Sequence, residues 1–82
     1  MATVLAAADS VLAFTGGERR FEAPAASVRE MIRWLDARYP GLGAHIEGRM
    51  AIAIDGEIHQ DALFEPLAPG AEVVLIPKIG GG

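Results

Sequence analysis

The chain has 82 residues, a net charge of −4 at pH 7 and a pI near 4.9, which bounds it to one small domain. Its 51% hydrophobic content supplies a core but leaves no room for a second domain with its own catalytic pocket. Without cysteine there is no disulfide, thiolate metal site, Fe–S cluster or thiol nucleophile, and seven scattered basic residues form no stripe to meet phosphates, so nucleic acid is not an expected partner.

Residues 3–7 read as a first strand, although Ala6 and Ala7 weaken the propensity and leave a helix conceivable. No positive segment precedes this apolar stretch and Asp9 interrupts it. Neither a signal peptide nor a membrane span is expected, which makes the expected location cytoplasmic. Asp9 or Ser10 is placed to cap a short helical turn over residues 11–14, closed by Gly16-Gly17. Residues 19–22 then return as a second strand paired with the first.

A helix follows with the clearest signature in the chain. Ser27, with Glu30 three residues on, forms a capping box that satisfies orphan N–H groups at the helix start. Val28, Met31, Ile32, Leu35 and Tyr39 fall on one stripe, as a helix packed on a sheet requires, while Arg29, Arg33, Asp36 and Arg38 lie away from it. Trp34 sits on the flank, either a half-covered core edge or an interface residue. Pro40-Gly41 ends the helix.

Residues 42–48 read as an irregular or briefly helical connection. A strand over 50–54 turns at Asp55-Gly56, a strong hairpin signal, into a short return over 57–59. Residues 61–67 suggest a connection with one helical turn, anchored by Leu63 or Phe64. Pro69-Gly70 turns into a last strand over 72–76, whose unbroken apolar run suggests a central place in the sheet. Pro77 has no N–H for a ladder, so the strand is expected to stop there. Together these elements make an α+β roll.

No catalytic constellation emerges. Asp55, Glu57, Asp61 and Glu65 read as solvated loop charges, Ser10 and Ser27 have no plausible base, and His45 and His59 read as surface residues without metal-ligand spacing. The terminal glycines make no phosphate loop, because no helix follows Gly80. That leaves the C-terminus itself. Residues 1–77 form the domain, and residues 78–82 a tail with little side chain to hold it down and the entropy of glycine against its ordering. Fully extended, five residues reach roughly 17 Å, enough to enter a buried site on another protein. Such ends are often merely frayed, and only the domain in front gives this one a use.

Several pieces taken in order resemble one family over essentially the whole chain. They are Val4-Leu5, Gly16-Gly17, the helix ending Arg38-Tyr39-Pro40-Gly41, Asp55-Gly56-Glu57, Pro66-Leu67-Ala68-Pro69-Gly70-Ala71-Glu72-Val73, and Pro77 before Gly81-Gly82. The chain is similar to the MoaD/ThiS sulfur carriers. It departs from their usual pattern in its third glycine, in Lys78 between Pro77 and Ile79, and in Ala6-Ala7 on the first strand.

The resemblance implies a ubiquitin-like β-grasp roll, with a mixed sheet of four to five strands on one main helix. It also implies that the Gly82 carboxylate is adenylated and converted to a thiocarboxylate, a nucleophile that donates sulfur. On this reading the chain is no enzyme by itself and binds no permanent cofactor. A ubiquitin-activating-enzyme-like adenylyltransferase uses the ATP. The length before the helix resembles the MoaD branch, which makes the expected acceptor the large subunit of molybdopterin synthase, in molybdenum cofactor biosynthesis. Thiazole, cysteine or natural-product synthesis are alternative destinations. So are conjugation through Gly82 to lysines of other proteins, and a β-grasp binding module whose tail is chemically silent. In the carrier reading Lys78, Ile79, Gly80 and Gly81 thread into the partner. Ile58 and Ile76 form an apolar docking patch, unless both simply finish the core.

Overall fold

The computed structural model describes residues 1–59 and 62–78. Its described elements run β1 (Ala2–Ala6), α1 (Asp9–Thr15), β2 (Arg20–Ala23), α2 (Val28–Arg38), α3 (Leu42–Arg49), β3 (Met50–Ile54), β4 (Glu57–His59) and β5 (Glu72–Pro77). The strands form one mixed sheet in the order β2-β1-β5-β3-β4. β5 is parallel to β1 and antiparallel to β3, so the apolar run of the last strand takes the middle of the sheet. This is the expected β-grasp roll, with five strands.

Alternation along the strands divides the sheet into two faces. One face carries Val4, Ile52, Val73 and Leu75, all buried in one cluster with Val28, Met31, Ile32 and Leu35 of α2. Leu42 and Ile46 of α3 join the same cluster, as does Val11 of α1. All three described helices therefore contribute to one core.

The helix α2 is held at its start from two directions. The Ser27 hydroxyl accepts the Glu30 N–H at 3.2 Å, while the Glu30 carboxylate accepts the N–H of Ala26 at 3.1 Å, one residue earlier than a standard capping box would have it. The orphan N–H of Val28 donates to the Glu65 carbonyl, and Leu67 N–H donates to the Ala26 carbonyl, each at 2.9 Å. These bonds fasten the segment after β4 to the base of the helix. In that segment Ala62 and Leu67 are buried and Leu63 packs against the core, so Leu63 is the anchor and Phe64 is not. It turns once, with Glu65 N–H donating to the Ala62 carbonyl, but makes no helix among the described residues.

Of the two readings of residues 42–48, the helical one holds: α3 is a helix of eight residues. The sequence leaves the choice open because Gly43 and Gly48 depress the propensity and no capping side chain precedes the helix. The cap comes from α2 instead. Asp36 Oδ1 accepts the N–H groups of Gly41 at 3.1 Å and Gly43 at 3.0 Å, placing a carboxylate where the helix N-terminus favours negative charge. A Cβ on Gly43 would lie 3.0 Å from both Cβ and Oδ1 of Asp36, so any larger residue there must push the capping carboxylate back by a few tenths of an ångström. α1 differs from expectation at the same kind of position. Ala8 stands at its N-cap, and neither Asp9 nor Ser10 caps it; the Ser10 hydroxyl lies 2.9 Å from Nε2 of His45 on α3.

Candidate functional site

The central strand delivers the chain to the edge of the domain. β5 continues through Pro77, one residue beyond the expected stop, and Pro77 lies opposite Met50. Antiparallel bonding alternates, and the pattern explains why proline is tolerated. Leu75 uses its carbonyl on the β1 side, accepting from Ala7 N–H, and Pro77 faces the same side two residues later. β1 has already ended at Ala6, so no ladder partner there misses the absent N–H. Lys78 N–H then donates to the Arg49 carbonyl at 3.1 Å, anchoring the backbone at the last described residue. Ile79, Gly80, Gly81 and Gly82 lie outside the described residues.

The sheet face away from the helices is where Ile58 and Ile76 sit. Register places Ile58 of β4 beside Ala53 of β3, Ala53 beside Val74 of β5, and Val74 beside Leu5 of β1. These four side chains make an apolar row across four strands. Ile76, beside Ala51, occupies the next row toward the tail. Ile58 is 54% exposed, while Leu5, Val74 and Ile76 are half-buried. Neither Ile58 nor Ile76 belongs to the buried core cluster, so the reading that both finish the core does not describe their positions.

On the side away from the tail the row gives way to Glu22, Thr3 and Glu72. The Thr3 hydroxyl donates to the Glu22 carboxylate at 3.0 Å, and Arg20 Nε lies 3.4 Å from it. Apolar surface thus adjoins the chain exit, and a hydrogen-bonded polar row bounds it at the far end. Leu5, Ala53 and Val74 were missed as members of the patch because membership depends on register across the sheet, which no local pattern carries. Alternation within β5 sends Val74 and Ile76 to one face.

The other polar candidates take structural places. Asp55, at φ 48, opens the hairpin with Gly56, at φ 86, as a two-residue turn with both residues left-handed requires. Asp55 N–H donates to the Glu72 carbonyl, and its carboxylate accepts Glu72 N–H at 2.9 Å, so it also ties the hairpin to β5. His59 is not the plain surface residue expected. It lines a cleft beside Lys78, within 3.9 Å of Glu57 and 3.8 Å of Glu65. His45 is likewise half-buried, its ring 5.2 Å from that of Phe14. Asp61 lies outside the described residues. Among the described residues no group of three His, Cys, Asp or Glu side chains is arranged to hold a metal ion.

A glycine-ended chain leaving the middle strand of a β-grasp sheet, beside an open apolar face, has a counterpart among known families. The profile of the ThiS family matches residues 5–82. The chain belongs to the ThiS family. Its members are small ubiquitin-like sulfur carriers, and the solved structures it resembles share the fold. One is the crystal structure of the Amycolatopsis orientalis BexX/CysO complex, with 24% identity, complete coverage of both chains and a TM-score of 0.81. Another is Mycobacterium tuberculosis CysO, described as an antigen, with 20% identity over 96% of this chain and 100% of that one, and a TM-score of 0.82. A third is small archaeal modifier protein 1 from Methanosarcina acetivorans, with 20% identity over 99% and 95% of the two chains and a TM-score of 0.76. No curated protein matches the chain. Among the described residues, no helix is long and apolar enough to cross a membrane.

Proposed function

We propose that this ThiS-family protein carries sulfur as a thiocarboxylate on Gly82, acting in the cytoplasm as the small subunit of molybdopterin synthase. The observation that carries the reading is the family match, which runs through the terminal glycines to residue 82. A free carboxylate is a poor acyl donor, because resonance and charge repel nucleophiles. Attack of its oxygen on the α-phosphorus of ATP expels pyrophosphate and gives an acyl-adenylate. Hydrosulfide adding to the acyl carbon expels AMP and gives the thiocarboxylate directly. A donor persulfide instead gives an acyl disulfide, whose S–S bond a second thiol cleaves to leave the thiocarboxylate and a disulfide on the donor. Glycine leaves the attacked carbonyl uncrowded by a Cβ.

In this division of labour the partners supply the ATP site and the sulfur, and this domain supplies the handle and the docking surface. Ile58 and Ile76, with Leu5 and Val74, bind an apolar surface on the adenylating enzyme and again on the acceptor. Lys78, Ile79, Gly80 and Gly81 thread toward the active site. A second reading sends the sulfur to another acceptor, in cysteine, thiazole or natural-product synthesis. The full-length likeness to a chain from the BexX/CysO complex favours keeping it.

The test of the carrier role is deletion of Gly81-Gly82. The shortened chain is expected to keep its thermal melt and lose sulfur transfer completely; unchanged transfer would refute the role. Supplying the thiocarboxylated full chain to a molybdopterin synthase large subunit with its precursor distinguishes the two destinations. Turnover supports the first, and none supports the second.

A further inference from the structure

On the helix side of the molecule, α2, α3 and the segment after β4 border a shallow groove lined by Arg29, Ile32, Arg33, Glu47, Leu63 and Phe64. Its volume is about 300 Å³, room for one or two side chains rather than a whole cofactor. Phe64 stands at its edge, 78% exposed, with the Arg29 guanidinium 6.0 Å from its ring centroid. Leaving a phenylalanine in water forgoes its burial, and nothing in the core needs Phe64, because Ala62, Leu63 and Leu67 already anchor the segment.

The charges around this groove are mostly basic. The two acids of α2, Glu30 and Asp36, spend their carboxylates on backbone N–H groups of Ala26, Gly41 and Gly43. Arg29 and Arg33, one helical turn apart on the same side, have no carboxylate within 4.0 Å among the described residues. A protein of net charge −4 thus presents here two guanidinium groups with no carboxylate partner among the described residues, beside its most exposed aromatic ring, and Glu47 is the one acid among the described lining residues. Carboxylates of an acidic partner would find two guanidinium groups beside an apolar ring here, a complementary pairing of charge and apolar surface.

We propose that this groove docks an acidic–apolar segment of a protein partner. An apolar side chain of the segment lies on Ile32 and Leu63 beside Phe64, and its carboxylates pair with Arg29 and Arg33. The surface lies on the opposite side of the sheet from the Ile58–Ile76 face, so both can be occupied together, and neither proposal depends on the other.

The probe is a blocked synthetic peptide alternating leucine and glutamate, titrated into the isotope-labelled full chain and followed by amide NMR shifts. Shifts are expected around residues 29–33 and 62–64, with affinity falling at least tenfold in an Arg29→Glu, Arg33→Glu double variant and again in Phe64→Ser. Both variants change exposed side chains, and each is expected to melt within a few degrees of the parent. A leucine–lysine peptide that binds equally well would overturn the charge match. Shifts confined to the open sheet face, or none, would overturn the site. Anionic lipid vesicles that displace the glutamate peptide from Arg29 and Arg33 would replace the protein partner with a membrane surface.

Discussion

Asp36 illustrates how a single side chain serves an element it does not belong to. It sits in the last turn of α2, yet its carboxylate accepts two N–H groups at the start of α3. Asp36→Ala leaves both without their acceptor and is expected to cost about 1–2 kcal/mol, the scale of a lost N-cap. Gly43→Ala forces a methyl against that same carboxylate, and about 1–3 kcal/mol is expected from such overpacking. Ser27→Ala, which removes only one acceptor at α2, is expected to cost about 1 kcal/mol. Urea unfolding of the three variants checks all of these, and a Gly43→Ala chain as stable as the parent would contradict the close approach. The Ser27 cap was readable because its partner is three residues away. The Asp36 cap was not, since it depends on how two helices meet across Pro40-Gly41.

Among the elements, α2 and β5 show what sequence periodicity can and cannot reveal. The stripe of α2 identified Val28, Met31, Ile32 and Leu35 correctly, because a helix packed on one sheet must bury residues three and four apart. Leu35 has no exposed surface, and Leu35→Ala is expected to cost about 2–5 kcal/mol. Tyr39, read as part of the stripe, is only half-buried and meets Phe21 edge-on at 5.8 Å. β5 was legible as a central strand because both of its faces are apolar. Its partners were not, since pairing β1 parallel with β5 joins residues some seventy positions apart. Ile76→Asp puts a charge on the open face without opening the core. The expected outcome is a thermal melt close to the parent with partner binding lost. A collapsed melt would mean that Ile76 supports the fold rather than docking.

At the scale of the whole molecule, the domain anchors Lys78, the last described residue, through the Arg49 carbonyl and offers an apolar face beside it. The sheet edges do not compete with that surface for partners. β4 is three residues long and carries Glu57 and His59, while β2 carries Arg20 and Glu22 on the open face, features that discourage edge-to-edge pairing. The family resemblance reached the fold and the carrier class from short pieces in order, because the β-grasp spaces its turns regularly. The acceptor pathway was not legible, since it is decided by a partner's pocket and not by this chain's core. The most direct measurement is an intact-mass spectrum of the full chain after incubation with a cognate adenylating enzyme, ATP and a sulfur source. A mass increase equal to the exchange of one oxygen for sulfur, localised by fragmentation to Gly82, is the predicted result. An unchanged mass with an active enzyme, or sulfur found on any other residue, would contradict the account.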